Sequence, residues 1–78
     1  MIREYREMNR YAIGNNISAL LKQKKMTQHE LAARIHSHDD TVSRWMTGQR
    51  QPSSYALLRI SRELGVTMEE LMEGIDNE

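Results

Sequence analysis

The sequence predicts an all-α domain of five helices. Apolar residues recur at spacings of three and four along most of the chain, and two stretches have the Thr-x-x-Glu pattern that begins helices. Strand signals are missing, because the sequence has neither sustained apolar-polar alternation nor an Asn-Gly or Asp-Gly hairpin turn. With 78 residues, of which 38% are apolar and 28% charged, the chain has room for one small globular core.

The predicted domain covers residues 13–73. Residues 1–12 form an amino-terminal extension whose apolar spacing also favours a helix, and residues 74–78 form an acidic tail. The apolar stripe of helix one follows the helical repeat through four residues: Ile13, Ile17, Leu20 and Leu21. The helix ends in basic residues that suit the negative end of its dipole: Lys22, Lys24 and Lys25.

Helix two begins at a capping box. In Thr27-x-x-Glu30 the threonine hydroxyl accepts a hydrogen bond from an unpaired amide, and the glutamate reaches back to the cap. Leu31, Ala32 and Ile35 give the helix its apolar side. The polar residues at positions 36–39 are predicted to end it after about two turns.

Helix three has two contrasting sides. Val42 and Trp45 form its inward side, and we interpret Trp45 as a core residue because of that spacing. Its outward side is polar and consists of Asp40, Ser43, Arg44 and Thr47. Gly48 is predicted to end the helix, since glycine adopts the left-handed conformation that helix ends require.

Helices four and five follow a loop at residues 49–53. Pro52 fixes its own backbone and biases the preceding residue away from helix. The apolar residues of helix four lie at helical spacing: Ala56 or Leu57, Ile60 and Leu64. Gly65 is predicted to close this helix. Thr67-x-x-Glu70 is a second capping box, which opens a short last helix that Gly74 terminates.

Composition excludes several classes of protein. Without cysteine the chain has no disulfide, no thiolate zinc site and no thiol nucleophile. No nucleophile, base and orienting group can be assembled from its residues, so we expect neither enzymatic activity nor a cofactor. We interpret the cluster of His36, His38, Asp39 and Asp40 as solvated turn residues rather than a metal site. Neither a membrane span nor a signal peptide is predicted, so we expect a cytoplasmic protein.

The net charge of zero conceals a gradient along the chain. Residues 1–12 carry a formal charge of +1, residues 13–53 carry +3, and residues 54–78 carry −4. A polyanion would therefore meet a mildly positive front and a negative back. The gradient predicts an oriented approach of such a partner.

Helices two and three form a unit that cannot bury its own apolar surface. Both are short, a four-residue turn joins them, and helices one and four must cover their apolar sides. The polar side of helix three is then available to a partner. Because an α-helix fits the major groove of B-DNA, which is about 12 Å wide, residues 28–47 predict a helix-turn-helix unit that binds DNA.

Several short motifs occur in an order and spacing that identify a family. They are Gly14, Thr27-Gln28-x-x-Leu31-Ala32, Thr41-Val42-Ser43-Arg44-Trp45, Gly48-x-Arg50-x-Pro52-Ser53 and Leu64-Gly65-Val66-Thr67. Together they resemble the Cro/cI-type helix-turn-helix family of phage repressors and small bacterial regulators, over residues 13–72. The resemblance implies a lambda-repressor-like DNA-binding domain and a sequence-specific, repressor-like regulator of transcription.

Two residues depart from the family's pattern. His36 stands where the family commonly has glycine in the turn, and histidine tolerates a left-handed backbone better than most residues. Met46 replaces a glutamate that often steadies a nearby arginine. We therefore expect Arg50 to be held less firmly than in other members of the family.

The resemblance assigns DNA contacts residue by residue. Base reading falls to Asp39, Asp40, Ser43 and Arg44 on helix three. Arg44 is the first candidate because its planar fork pairs with guanine, and an ion pair with Asp40 is the alternative role. The two aspartates either read cytosine or weaken binding. The expected phosphate contacts lie on both sides of the groove: Gln28, Thr27, His38, Thr47, Gln49, Arg50 and Ser53.

The expected partner is double-stranded DNA with a pseudo-palindromic operator, bound by a homodimer. The dimer candidates are apolar residues at the acidic end, where a short helix cannot bury every side chain: Met68, Met72 and Ile75. The alternative function is an antitoxin or another protein-interaction module, with DNA binding secondary. A toxin or polymerase would then be the protein partner.

The amino-terminal extension also has two interpretations. Arg3, Arg6 and Arg10 lie along one side of a predicted helix and could form an arm over DNA. Alternatively, Tyr5 and Met8 pack on the domain or on a neighbouring subunit. We favour packing, because two glutamates dilute the positive charge of the extension.

Overall fold

Five α-helices follow one another along the chain. They are α1 Ile2–Lys24, α2 Gln28–Arg34, α3 Asp39–Met46, α4 Ser54–Leu64 and α5 Met68–Leu71. The computed structural model describes the backbone of residues 2–74 and the side chains of residues 10–74. Within residues 2–74 the chain contains no β-strand, which confirms the predicted all-α class.

Helix α1 is a single helix of 23 residues. It continues without a break across positions 12 and 13, where the sequence divides an extension from helix one. The side chains of Arg3, Tyr5, Arg6 and Met8 lie outside the described residues. Ile13, Ile17 and Leu21 are buried, and Leu20 packs partly against the core.

The core draws residues from every helix. The buried apolar residues are Ile13, Ile17, Leu21, Leu31, Ala32, Ile35, Val42, Trp45, Leu57, Ile60, Leu64 and Leu71. Trp45 is 5% exposed, which confirms its predicted place in the core. Helix α1 packs on α3 and α5, whereas α2 packs on α3 and α4. The apolar sides of α2 and α3 are therefore covered by the helices around them, and the burial of these hydrophobic side chains stabilises the fold.

Helix α5 is shorter than the sequence predicts. It ends at Leu71, and Met72 begins a tight turn in which its N–H donates to the carbonyls of Met68 and Glu69. Gly74 adopts a φ of +93° at the end of that turn. Of the two bonds of a capping box, the described structure has the one from the Glu70 N–H to the Thr67 hydroxyl. A four-residue helix leaves most of its carbonyls without helical partners.

Asn16 supplies a partner for one of those carbonyls and for one carbonyl of the turn that follows. Its side-chain amide donates to the Leu71 carbonyl at 2.8 Å and to the Glu73 carbonyl at 2.7 Å. Both hydrogens of the Nδ2 group are thereby used. The contact joins the middle of α1 to the end of α5 and holds the short helix on the domain.

Candidate nucleic-acid interface

The turn between α2 and α3 sets the angle of the pair. At the end of α2, the His36 N–H donates to Ala33 and the Ser37 N–H donates to Ala32, at 3.3 and 2.8 Å. This is the Schellman arrangement, in which the residue that follows the C-cap, here His36, adopts the left-handed conformation. His36 has a φ of +59°, so it takes the conformation expected for the glycine it replaces.

Helix α3 presents a polar side to solvent. Val42 and Trp45 are buried beneath it. Asp39, Asp40 and Arg44 are exposed, and Ser43 is half-buried. Nothing in residues 10–74 covers the outward side of α3, so these side chains can reach a partner in the monomer.

Gly14 sets how closely α1 approaches α3. A Cβ at this position would collide with the carbonyl oxygen of Trp45 and lie 3.0 Å from the Met46 Cα and carbonyl oxygen. Backbone atoms at that distance cannot move aside without moving the helix. The last turn of α3 therefore rests directly on α1, and glycine is required there for space rather than for conformation.

Asp39 forms a contact that the sequence did not predict. Its carboxylate lies 2.8 and 3.0 Å from the Nδ1 of His29, which is on α2. The hydrogen bond and the negative charge of Asp39 raise the pKa of His29 above its ordinary value of 6.5. A predicted base-reading carboxylate is thus held by a neighbouring helix, and its charge is offset when His29 is protonated.

The alternative ion pair between Asp40 and Arg44 does not form within α3. In residues 10–74, the pairs of opposite charge within 4.0 Å are His29 with Asp39 and Arg34 with Glu63. Arg44 is therefore not bound to Asp40 in this structure. Its guanidinium is exposed with its donors available.

The amino end of α2 carries two of the predicted phosphate contacts. The Thr27 hydroxyl accepts from the Glu30 N–H at 3.0 Å, and the Glu30 carboxylate accepts from the Thr27 N–H at 2.8 Å. The predicted capping box is therefore complete, and these bonds lower the pKa of Glu30. The Thr27 hydroxyl keeps its own hydrogen to donate. Gln28, the first residue of α2, is half-buried.

His38 is the residue before α3. Its backbone is extended, as an N-cap requires, but in the described structure its side chain forms no capping hydrogen bond. The imidazole is exposed beside Asp39 and Asp40. It is therefore available to a ligand.

The loop after α3 is held by its own backbone. The Gly48 N–H donates to Trp45, and the Gln49 and Arg50 N–H groups both donate to Arg44, at 2.9 and 3.2 Å. Gly48 has the predicted left-handed conformation, with a φ of +76°. Because the two amides are already bonded, only the side chains of Gln49 and Arg50 are available to a ligand; both are exposed.

Two hydroxyls near this loop have structural roles. Thr47 donates its hydroxyl hydrogen to the Ser43 carbonyl at 3.1 Å. Ser53 caps α4, where its hydroxyl accepts from the Ala56 N–H at 3.1 Å. A phosphate oxygen only accepts hydrogen bonds. The Ser53 hydroxyl can donate its hydrogen to a phosphate oxygen while it caps α4. The Thr47 hydroxyl must first rotate away from the Ser43 carbonyl.

The predicted dimer residues differ in exposure. Met72 is 39% exposed, whereas Met68 is half-buried and packs against the core. Met68 therefore belongs in part to the domain's own packing, because α5 turns its first residue inward. Ile75 lies outside the described residues.

The described residues contain neither a metal-binding cluster nor a membrane-spanning helix. No three His, Asp or Glu side chains there come together in a way that could hold a metal ion. No helix within residues 2–74 is both long and apolar enough to cross a lipid bilayer. The residues predicted to contact DNA lie in or beside the α2–α3 unit and the loop after it.

Comparison with known proteins agrees with this geometry. A family model described as helix-turn-helix matches residues 17–71. The chain is 32% identical over 63 residues to YqaE of Bacillus subtilis (strain 168), an uncharacterised HTH-type transcriptional regulator. The match covers 81% of this chain but only 54% of that relative, so the chain spans about half of its length.

A second relative is matched over most of its length. The chain is 31% identical over 67 residues to y4dJ of Sinorhizobium fredii (strain NBRC 101917 / NGR234), also an uncharacterised HTH-type transcriptional regulator. This match covers 86% of the chain and 87% of the relative. No solved structure matches the chain significantly. On the family match and the second relative together, the chain belongs to the helix-turn-helix family.

Proposed function

We propose that the chain is a sequence-specific DNA-binding regulator of transcription, repressor-like, which reads the major groove with α3. The observation that carries the proposal is the arrangement of α3: Val42 and Trp45 anchor it in the core while its polar side is exposed. Such a helix offers hydrogen-bonding side chains to a groove without disturbing the fold. Membership of the helix-turn-helix family supports the same function.

Within α3, we assign the first base contact to Arg44. It is exposed and lies within 4.0 Å of no carboxylate in residues 10–74. Its planar guanidinium can donate to O6 and N7 of one guanine, and a good contact of this kind discriminates by about 1 to 3 kcal/mol. Ser43 and Asp40 are secondary readers, and an Asp40 carboxylate accepts from a cytosine amino group.

The bond to His29 gives Asp39 a different role. A carboxylate near the phosphates is repelled by them, and a protonated His29 offsets that charge. We therefore propose that Asp39 acts chiefly through His29 and less as a base reader. The pair then fixes the first residue of α3 against α2, so that α3 enters the groove at a defined angle.

Phosphate contacts on both sides of α3 would set the register. Gln28, Thr27 and His38 lie at the α2 end of the unit, and Arg50, Gln49, Thr47 and Ser53 lie in or beside the loop after α3. These contacts give affinity for any sequence rather than specificity. No acidic residue occurs between Asp40 and Glu63, so the loop side is favourable to a polyanion.

The proposed assembly is a homodimer on a pseudo-palindromic operator. Half-sites would lie about one helical turn apart, roughly 34 to 36 Å from centre to centre. Met72 is the exposed apolar candidate for the contact between subunits. Met68 and Ile75, which lie about one helical turn away in sequence, are the further candidates. The protein would act in the cytoplasm by blocking or assisting polymerase.

Selection from random DNA duplexes, at physiological salt, tests this function. The proposal predicts an enriched motif with two-fold symmetry, and loss of preference at one position of each half-site for Arg44→Ala. Absence of any enriched motif would contradict sequence-specific binding. The alternative is an antitoxin-like module, whose acidic surface includes the exposed Glu69, Glu70 and Glu73. In a pull-down from the native cell, capture of a basic protein without DNA would favour this alternative.

A further inference from the structure

Arg10 and Tyr11 form a stacked pair near the middle of α1. The Arg10 guanidinium carbon lies 5.0 Å from the centre of the Tyr11 ring, and its Nη2 donates to the Tyr11 hydroxyl at 2.9 Å. Both side chains are exposed. Stacking holds the planar guanidinium in one place, and the hydrogen bond to the Tyr11 hydroxyl uses one of its five N–H donors. Among the side chains of residues 10–74, no ion pair or further hydrogen bond engages the other four, so they can bind a ligand.

The pair is attached to the loop that follows α3. The Gln51 side-chain amide donates to the Arg10 carbonyl at 2.8 Å. The Tyr11 ring covers Gly48 so closely that a Cβ there would lie 2.7 Å from its Cδ1 and Cε1. Gly48 is buried as a result. The pair and the loop therefore pack together as one unit.

This unit lies at the carboxyl end of α3. Gly14, one turn further along α1, rests on the backbone of Trp45 and Met46 in the last turn of α3. Arg10 and Tyr11 are consequently beside the loop that carries Arg50. In the docking proposed above, that loop follows the phosphate backbone at one side of the groove, and Arg10 adds a second cation there.

We propose that Arg10, held by Tyr11, contacts a backbone phosphate of duplex DNA. This inference rests on the proposed function and extends it to a part of the chain that the family match, residues 17–71, does not include. The ligand is a phosphodiester because the fork of a stacked guanidinium can donate two parallel hydrogen bonds to its two charged, non-bridging oxygens. The contact is independent of base sequence.

The primary test compares Arg10→Gln with Arg59→Ala on a selected duplex. Arg59 forms the same kind of pair with Tyr55 on α4, with 3.1 Å between Nη1 and the hydroxyl, so the two variants remove matched cations. Arg10→Gln should weaken binding by about 3- to 10-fold at low salt. It should also reduce the slope of log affinity against log salt by about 0.9, whereas Arg59→Ala should change neither.

Arg10→Lys separates a phosphate contact from a structural brace. The slope of log affinity against log salt is proportional to the number of phosphates that the protein neutralises. Lysine should therefore restore the wild-type slope, even though it does not stack on an aromatic ring as arginine does. Ethylation of one phosphate in each half-site should weaken the wild-type protein and have no further effect on Arg10→Gln. Melting curves show that each variant is folded before binding is measured.

The outcomes distinguish the two proposals. If the wild type binds duplex DNA and Arg10→Gln matches Arg59→Ala in affinity and slope, the Arg10 contact is refuted and the proposed function stands. The Arg10 contact is also refuted if the folded Arg10→Gln variant has a lower melting temperature but an unchanged slope of log affinity against log salt. The stacked pair then only stabilises α1. If the wild type binds no duplex, the proposed function fails and the Arg10 contact fails with it.

Discussion

The carboxylate of Asp39 accepts a hydrogen bond from the Nδ1 of His29 at 2.8 Å and joins the first residue of α3 to α2. Ten positions separate the two residues in the chain, and the turn at 35–38 brings them together. The contact raises the pKa of His29, so the tie between the two helices depends on pH.

The pH dependence has a definite sign. Since the folded pKa of His29 lies above its ordinary 6.5, the stability from this pair is fully present below 6.5 and is lost as pH rises through the folded value. An NMR titration of the His29 ring should give a midpoint above 6.5. Asp39→Asn should lower that midpoint toward the ordinary value, because Asp39 is the largest cause of the shift. An unchanged midpoint in the variant would show that Asp39 is not the cause.

Gly14→Ala should destabilise the domain, although alanine favours helix. The added methyl overlaps the Trp45 carbonyl oxygen, which α3 cannot withdraw without unpacking Val42 and Trp45. We expect a loss of about 1 to 3 kcal/mol in the free energy of unfolding, measured by urea denaturation. Asn15→Ala, at the exposed neighbouring position, is the control and should be neutral or slightly stabilising. A Gly14→Ala protein as stable as the wild type would contradict the close packing of α1 on α3.

Asn16→Asp should loosen α5. The aspartate would place a carboxylate against the Leu71 and Glu73 carbonyls, so two hydrogen bonds become two repulsive contacts. Two such bonds contribute about 1 to 3 kcal/mol in total, and the loss should be at least that large at neutral pH. Hydrogen exchange at α5 measures it locally. Asn15→Asp adds the same charge at an exposed position, and equal effects of the two variants would rule out the Asn16 contact as their cause.

Base reading and phosphate contact predict different losses. Arg44→Ala should lower discrimination at one base position by about 1 to 3 kcal/mol. Gln28→Ala should weaken binding to every DNA sequence by the same factor, because a phosphate contact does not depend on the bases. Binding assays on the selected operator and its single-base variants measure both effects. Losses of equal size on every sequence for both proteins would remove the distinction between the two residues.

Local signals in the sequence predicted most of the helical framework. The Thr27 capping box, the left-handed Gly48, and the burial of Val42 and Trp45 all depend on neighbours within a few positions, which sequence patterns record. The left-handed His36 was expected from the family resemblance instead. The end of α5 was predicted too late, because its tight turn and its bonds to Asn16 depend on a residue 55 positions away.

The side-chain contacts of the candidate site could not be predicted in this way. The bond between His29 and Asp39 depends on the angle between two helices, and polar residues at exposed positions carry no periodic signal. The same holds for the bond from Gln51 to Arg10, which spans 41 positions. Composition likewise gave no means of telling that Met68 packs inward while Met72 remains exposed.

In the proposed complex the polar side of α3 lies in the major groove, with Arg44 at a guanine. Methylation of guanine N7 blocks that groove edge alone, so interference by N7 methylation on the selected operator tests the claim directly. The account predicts one guanine in each half-site whose methylation abolishes wild-type binding and has little effect on the residual binding of Arg44→Ala. Wild-type binding that tolerates methylation at every guanine, or an identical interference pattern for the two proteins, would contradict it.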